Sequence, residues 1–430
     1  MKKLLLIFTV LFLLIFSIGF FVYAVSDKEP DKVTISLAGW GPGEETFKPS
    51  WAMFKEAFEN EHPDITLDLI GIPYENLRQQ LIVQAQAGTA PDLAQVDSAI
   101  DLELAALGFL QPLDSLLEKE VKDRIIGSLL EASKYNGKIY AVPQSPVPYV
   151  LYNSTYLAEK AGITKRPETI EELTQQATAI AGLGTDENGN RIWGISPDTA
   201  RWIVGAYDFL PFFYNFGADE FDANGKVAIN SKNAVEALAW YKELTEAGVL
   251  GPPGSDVREM RNLFSKDQLG FYVDNPGGRG IIRDQSGLGV DFDKHYEISV
   301  FPTKNRPENW SIYYAHTFVM FKQTKHPEAA AKFLNFYIKN ADIQKTYYKD
   351  TGQLPPTNAA LTDPAYGDSF SKTVMEQAGN VKRPFGLRPD KHGELVDILA
   401  VAVQSAVVGG VDPKAALDDA AQQMRELLGE

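Results

Sequence analysis

The sequence predicts an α/β protein of two lobes, each a mainly parallel sheet flanked by helices, with the chain crossing between them. Three observations predict it. The chain has 430 residues, enough for two or three units with cores of their own. Its first hundred residues alternate strand and helix patterns in the order β-α-β-α-β, which demands right-handed crossovers and a parallel sheet. The stretch 136–153, NGKIYAVPQSPVPYVLYN, sets Pro143, Pro146 and Pro148 between two apolar strand patterns. Proline fixes φ and bars helix, so the chain there is stiff and extended. A passage from one compact unit to another has this form. A strand, loop and strand inside one domain fits the same residues.

The elements follow in order. Met1, Lys2 and Lys3 open a basic start, 4–22 is uncharged and apolar, and Val22-Tyr23-Ala24 suits cleavage after Ala24. Residues 1–24 therefore read as an export signal. A run of about 19 apolar residues would also span roughly 28 Å as a helix, so an uncleaved membrane anchor stays open. Polar 26–32 is a linker. Val33, Ile35 and Leu37 alternate as a strand, followed by the loop from Gly39 through Trp40 to Glu44. Trp51, Phe54 and Phe58 recur at helical spacing until His62-Pro63. Ile65, Leu67 and Leu69 form a second strand; Leu77, Leu81 and Ala85 a second helix ended by Gly88. A third strand at 93–96 finishes at Asp97-Ser98, and a helix covers 101–106.

Beyond the proline stretch, Thr169 and Glu172 form a capping box that opens a helix to Ala181. Strands are expected at 192–195 and 227–229, and 201–216 reads as a loop-rich stretch dense in aromatics. Ser231 caps a helix with Val235, Leu238, Tyr241 and Leu244 on one face. A strand at 269–273 leads into Asp274-Asn275-Pro276-Gly277, and another near 298–301 is cut by Pro302. The apolar run 318–321 is followed by a helix from Pro327. GQLPP at 352–356 is a second stiff crossing, and Asp412-Pro413 opens the last helix.

Composition narrows the chemistry. The formal charge is −16, from 41 Lys and Arg against 57 Asp and Glu. That argues against nucleic acid or anionic lipid as partners and suits a neutral or cationic ligand. With no cysteine there is no disulfide, no thiol chemistry and no site for lipid attachment. No GxSxG elbow, Walker A loop or HExxH motif occurs. The five histidines are scattered. Two calcium-loop-like turns, with Gly189 and Gly225 at the invariant glycine position, carry Ile195 and Ser231 six residues on, where the closing acid belongs. No catalytic residue, metal or cofactor is expected. Paired carboxylates for glycoside hydrolysis are spatial, so sequence spacing leaves a carbohydrate-active enzyme open.

Aromatic and polar residues gather where strands should end. Trp40 follows the first strand, Asp97 the third, and Asp274-Asn275 a later one; Tyr207 to Tyr214, and Trp310, Tyr313 and Tyr314, form clusters. Ligands bind at the carboxyl ends of parallel strands. Aromatic rings can cover the apolar faces of a sugar while carboxylates, amides and Arg bond its hydroxyls. Each ring taken alone is as readily a core residue.

Several segments resemble one family. They are VTISLAGWG, the Pro91-Asp92-Leu93 opening of strand three, NGKIYAVP followed by Tyr152-Asn153, GADEFDANGKVAINSKNAVEALAWYKELTEAGV from Gly217, LFSKDQLGFYVDNPG, TKHPEAAAKFLNFYI and VDPKAALDDAAQQM. In this order, over nearly the whole mature chain, they are similar to the extracellular solute-binding proteins of ABC importers, family 1, the maltose-binding group. The resemblance implies a periplasmic-binding-protein-like fold with three hinge crossings, near 143–148, 299–303 and 352–357. Lobe 1 would then comprise 31–145 and 302–352, and lobe 2 146–301 and 353–430. It implies a cleft site drawn from Trp40, Glu44, Asp97, Gln144, Tyr149, Tyr207, Asp274, Asn275, Tyr314 and Arg383. Maltose binders of the family carry a tryptophan where this chain has Asp-Asn-Pro-Gly, and an aromatic near 394–400 that is missing here. That leaves another oligosaccharide or a non-sugar solute. The implied protein is an exported monomer that is not an enzyme. It captures a small solute by hinge closure and delivers it to the permease subunits of the importer. A secreted carbohydrate-active enzyme, or a ligand sensor on the same fold, is the alternative.

Overall fold

The computed structural model describes residues 32–430. The expected signal or anchor at 1–24, and all of the expected linker but Lys32, lie outside the described residues. The strands that build the two main sheets are β1 (Val33–Gly39), β2 (Ile65–Gly71), β3 (Leu93–Asp97), β4 (Ala141–Pro146), β5 (Val150–Ser154), β6 (Trp193–Ser196), β7 (Leu269–Asp274), β8 (Tyr296–Ser299) and β9 (Ala315–Met320). The helices that matter below are α1 (Lys48–Glu61), α2 (Tyr74–Ala87), α3 (Ile100–Ala106), α4 (Ile170–Ala181), α5 (Ile203–Asn215), α6 (Lys232–Glu246), α7 (Val257–Ser265), α8 (Pro327–Lys339), α9 (Ala341–Thr351), α10 (His392–Val407) and α11 (Pro413–Leu428).

The first sheet has the order β2-β1-β3-β9-β4 and the second β8-β5-β7-β6. In each sheet one strand runs against the rest: β9 in the first and β5 in the second. Both are the first strand after a crossing. The other strands run towards the space between the lobes and end there. A strand entering from that space must run away from it.

Apolar side chains alternate along the strands and fill both faces. In β7, Phe271 and Val273 face one cluster with α4, α5, α6, α10 and α11, while Leu269 and Tyr272 face another with α7. The first sheet packs on α1, α2, α8 and α9. The capping predictions hold at Thr169, Ser231 and Asp412, each of which accepts a bond from a backbone N–H in the first turn. Asn136 and Gly137 take φ of 49° and 77° in the tight turn expected of them.

Four expectations change. Pro143 and Pro146 are extended as expected, but they lie within β4, paired to β9, and not on the crossing itself. β4 is a sheet edge, where a missing N–H breaks no ladder. The stiff passage therefore shrinks to 147–149, pinned by Val147 N–H donating to Tyr314 O at 3.0 Å. The stretch 201–216 is not loop-rich: it contains α5, buried from Val204 to Asn215, and its aromatics surround the helix because every face meets apolar neighbours. The strand at 227–229 is only an isolated bridge from Val227 to Phe221. The second passage does not fall at 299–303. Thr303 and Lys304 bond to Glu168 and Asn215, and Ser311-Ile312 pair with Val381-Lys382, so 302–313 stays with the second sheet until Ala315 enters β9. Pro302 ends a strand without turning the chain away.

Candidate functional site

The ends of β1, β2 and β7 and the starts of β5 and β9 converge on a cleft lined by residues from both sheets, the place where ligands bind at the carboxyl ends of parallel strands. From the first sheet's side come Trp40 and Glu44 in the loop after β1, Tyr74 at the start of α2, and His316 in β9. From the second come Tyr149, Trp202, Arg258, Arg261, Asp274 and Asn275, while Tyr314 and Gln353 sit on the crossings.

The aromatic lining is held edge-on. Trp40 meets His316 at 4.8 Å and Tyr74 at 5.5 Å between centroids, and Tyr149 meets Tyr314 at 5.5 Å. Such T-shaped packing fixes each ring and leaves faces for a ligand. Gly41 lets the loop close down: a Cβ there would stand 2.1 Å from Trp51 Nε1.

The charges divide into two sorts. Arg261 grips Asp274 through two bonds of 2.7 and 2.9 Å, and the Asp274 carboxylate also accepts from Asn275 N–H. Burial works against the Arg261 charge, but Asp274 outweighs it and holds the guanidinium above its ordinary range. Glu44 is different: no described group hydrogen-bonds its carboxylate, and burial pushes its pKa up, with Arg261 and Arg258 pulling the other way. His316 is pushed down to about 4 by burial and is neutral at pH 7. Behind the second wall, burial raises both Asp198 and Asp208. Asp198 accepts from the Trp202 indole N–H at 2.5 Å, and Asp208 from the Asp198 N–H.

The lobes touch across the mouth. Arg258 pairs with Glu75 at 2.7 Å, and Arg78, bonded to Glu103, lies against Gly393 and 3.7 Å from Glu394.

Of the ten residues expected in the site, Trp40, Glu44, Tyr149, Asp274, Asn275 and Tyr314 line the cleft. Four do not. Asp97 is wholly buried; it accepts from Ala99 and Ile100 N–H at the start of α3 and from the Tyr74 hydroxyl at 2.8 Å, behind the lining rings. Gln144 is buried in β4 and accepts from Gln95. Tyr207 lies inside the second lobe on α5, its hydroxyl donating to His392 Nε2 at 2.9 Å, because His392 Nδ1 is turned to Pro384 O. Arg383 reaches across to the first lobe, donating to the carbonyls of Ser98 and Ala132 under Tyr313. Tyr74, Trp202, Arg258, Arg261, His316 and Gln353 are the cleft residues that sequence reasoning missed. Trp202 stood in the aromatic stretch already noted; the others carried no signal, since their strand-end and helix positions are set by packing.

The chain matches the model of the bacterial extracellular solute-binding protein family over residues 40–344. It is 23% identical to the galactooligosaccharide-binding protein of Bacillus subtilis over 418 residues, covering 91% of this chain and 93% of that protein. It superposes on the GacH receptor of Streptomyces glaucescens, solved unliganded and with acarbose, with a TM-score of 0.81, 21% identity and coverage of 93% and 99%. Maltose-bound MalE3 of T. maritima gives 0.80, 23% identity and coverage of 92% and 100%. Two lobes around an aromatic cleft and a family match over most of its length agree: this chain belongs to the bacterial extracellular solute-binding protein family.

Proposed function

We propose that this protein captures a neutral sugar, an oligosaccharide first, between its lobes and delivers it to the permease of an ABC importer. The observation that carries this is the cleft lining: four aromatic rings held edge-on, with Arg261 and Asp274 neutralising each other. Fixed ring faces suit the C–H faces of a sugar, and a lining in which Arg258 and Arg261 balance Glu44 and Asp274 has no net charge to favour an ion. The similar proteins named above, a galactooligosaccharide-binding protein and two receptors solved with acarbose and with maltose, support the same class. Capture works by hinge closure about the passages near 147–149, 313–315 and 352–357. The lobes accordingly divide as about 32–146 with 315–352, and 147–314 with 353–430. The protein acts as an exported monomer, cleaved after Ala24 or held by that segment, and carries out no reaction on its ligand. Among the described residues, no helix is long and apolar enough to cross a membrane.

Thermal shift against oligosaccharides, polyols and polyamines tests the reading. A ligand at 100 times its dissociation constant should stabilise by about 2.7 kcal/mol, be recovered intact, and reduce the radius of gyration in solution scattering. Product formation would establish the enzyme reading instead. Polyamine binding alone would move the ligand class to cations.

A further inference from the structure

His316 enters the cleft from the start of β9 in the first sheet, and Gln353 from the crossing just after α9. Both are almost completely buried and both line the cleft. They are joined by one bond, His316 Nδ1 to Gln353 Oε1 at 2.8 Å. An amide oxygen only accepts, so Nδ1 carries the proton and Nε2 is a lone-pair acceptor. Among the described residues nothing donates to that Nε2. The Gln353 amide nitrogen makes no well-formed hydrogen bond although the side chain is 1% exposed, and the Tyr347 hydroxyl beside it is likewise unpaired. That nitrogen stands beside Gly277, where a Cβ would come within 2.9 Å of it, and Gly277 also lines the cleft. A buried donor left unpaired costs stability, so such an atom calls for an occupant.

We propose that His316 and Gln353 form a recognition pair for two hydroxyls of the ligand, His316 Nε2 accepting from one and Gln353 Nε2 donating to the other. The inference rests on the reading of the cleft as a sugar site and adds to it which atoms select the ligand. A hydroxyl both donates and accepts, so a polyhydroxylated, uncharged molecule satisfies both atoms at once. An ammonium has no lone pair for the amide, and a carboxylate no proton for the imidazole. His316 is neutral at pH 7, as this requires. Trp40 and Tyr314 set the ring edge-on at 4.8 and 5.7 Å, which orients Nε2. The pair is carried by the start of β9 and the crossing next to it, and is therefore in position on the first lobe before the second closes.

The experiment has two arms on the full chain. The first is nitrogen-15 NMR of histidine-labelled protein. The expected spectrum has His316 protonated on Nδ1, with the Nε2 resonance moving when the tightest binder among maltotriose, lactose, ribitol and mannitol is added. Protonation on Nε2 would overturn the pair. It would mean the amide is turned the other way, with the Tyr347 hydroxyl donating to Gln353 Oε1. The second arm is calorimetry on His316→Phe, which keeps the ring, and Gln353→Glu, which keeps an acceptor for Nδ1 but loses the donor. Each should bind the same probe about tenfold or more weakly, with thermal unfolding of the free protein recorded alongside. Wild-type affinity in both folded variants would overturn the pair while leaving the sugar reading intact. Failure of all four probes to bind the wild type would overturn the sugar reading, and the pair with it.

Discussion

On the first-lobe wall of the cleft, the Glu44 carboxylate has no hydrogen-bond partner among the described residues and His316 keeps one nitrogen unpaired. On the second-lobe wall, Arg261 and Asp274 consume each other, Asp198 takes the Trp202 indole, and Asp208 takes the Asp198 amide. The first wall holds polar capacity in reserve; at the surface of the second, Arg261 and Asp274 have spent theirs on each other, and the unpaired Asp208 Oδ1 lies buried behind it. Reserve capacity costs stability and can be returned by a ligand. Saturated capacity fixes shape, because removing one partner strands the other. On the proposed reading, the first wall would make the polar contacts to a ligand, and the second would supply ring faces held by a rigid support.

The most severe way to break this comparison is Asp274→Ala. Arg261 would be left buried and unpaired, and stability should fall by about 3–5 kcal/mol in chemical unfolding. The double variant Arg261→Met with Asp274→Leu should lose less than the single one. Near-normal stability in Asp274→Ala with affinity abolished would make Asp274 a ligand contact and erase the contrast.

Acid probes the dry interior behind the second wall. Burial pushes His392 down to about 3, with Arg383 adding to the effect. The unfolded chain takes up a proton near pH 6.5 while the folded one stays neutral. The contribution of this depressed group is thus present above about 6.5 and lost as pH falls towards 3. Relative to His392→Phe, the wild type should lose on the order of 3 kcal/mol of stability between pH 7 and pH 3. A pH-independent difference would show that water already reaches this histidine.

Glu44→Gln sharpens the first wall. Exchanging a charged acceptor for a neutral one should weaken sugar binding about tenfold. Unfolding stability should stay level or rise, since a half-enclosed charge is removed. Lost stability at unchanged affinity would place Glu44 with the saturated groups. The smallest effect belongs to the mouth, where Glu75 and Arg258 are both largely solvated. Glu75→Ala should cost at most about 1 kcal/mol of closure, seen as a slight loss of affinity that disappears in high salt.

Much of the fold was legible because it rests on periodicities. Alternation at Val33, Ile35 and Leu37, helical spacing at Trp51, Phe54 and Phe58, and the caps at Thr169, Ser231 and Asp412 are each local. What misled was also local. Pro143 and Pro146 read as part of a crossing, since nothing in the sequence says that β4 is a sheet edge. Val204 to Asn215 carries apolar residues on every side, which erases the helical stripe. Pro302 broke a strand, but where the chain next changes lobe depended on Thr303 finding Glu168.

By itself the sequence determined that strands end in aromatic and acidic residues, that two stiff passages divide the chain, and that no motif for catalysis is present. Those properties reside in residues near one another along the chain, where spacing and φ restriction act. Only the tertiary structure decided which strand ends face the cleft. Asp97 and Asp274 both close an apolar strand, yet Tyr74 and the start of α3 claim the first behind the lining, while Arg261 holds the second within it. His316 and Gln353 lie 37 residues apart and meet at 2.8 Å. A hydrogen bond between them depends on how β9 packs against the crossing after α9, and packing is a property of the whole chain.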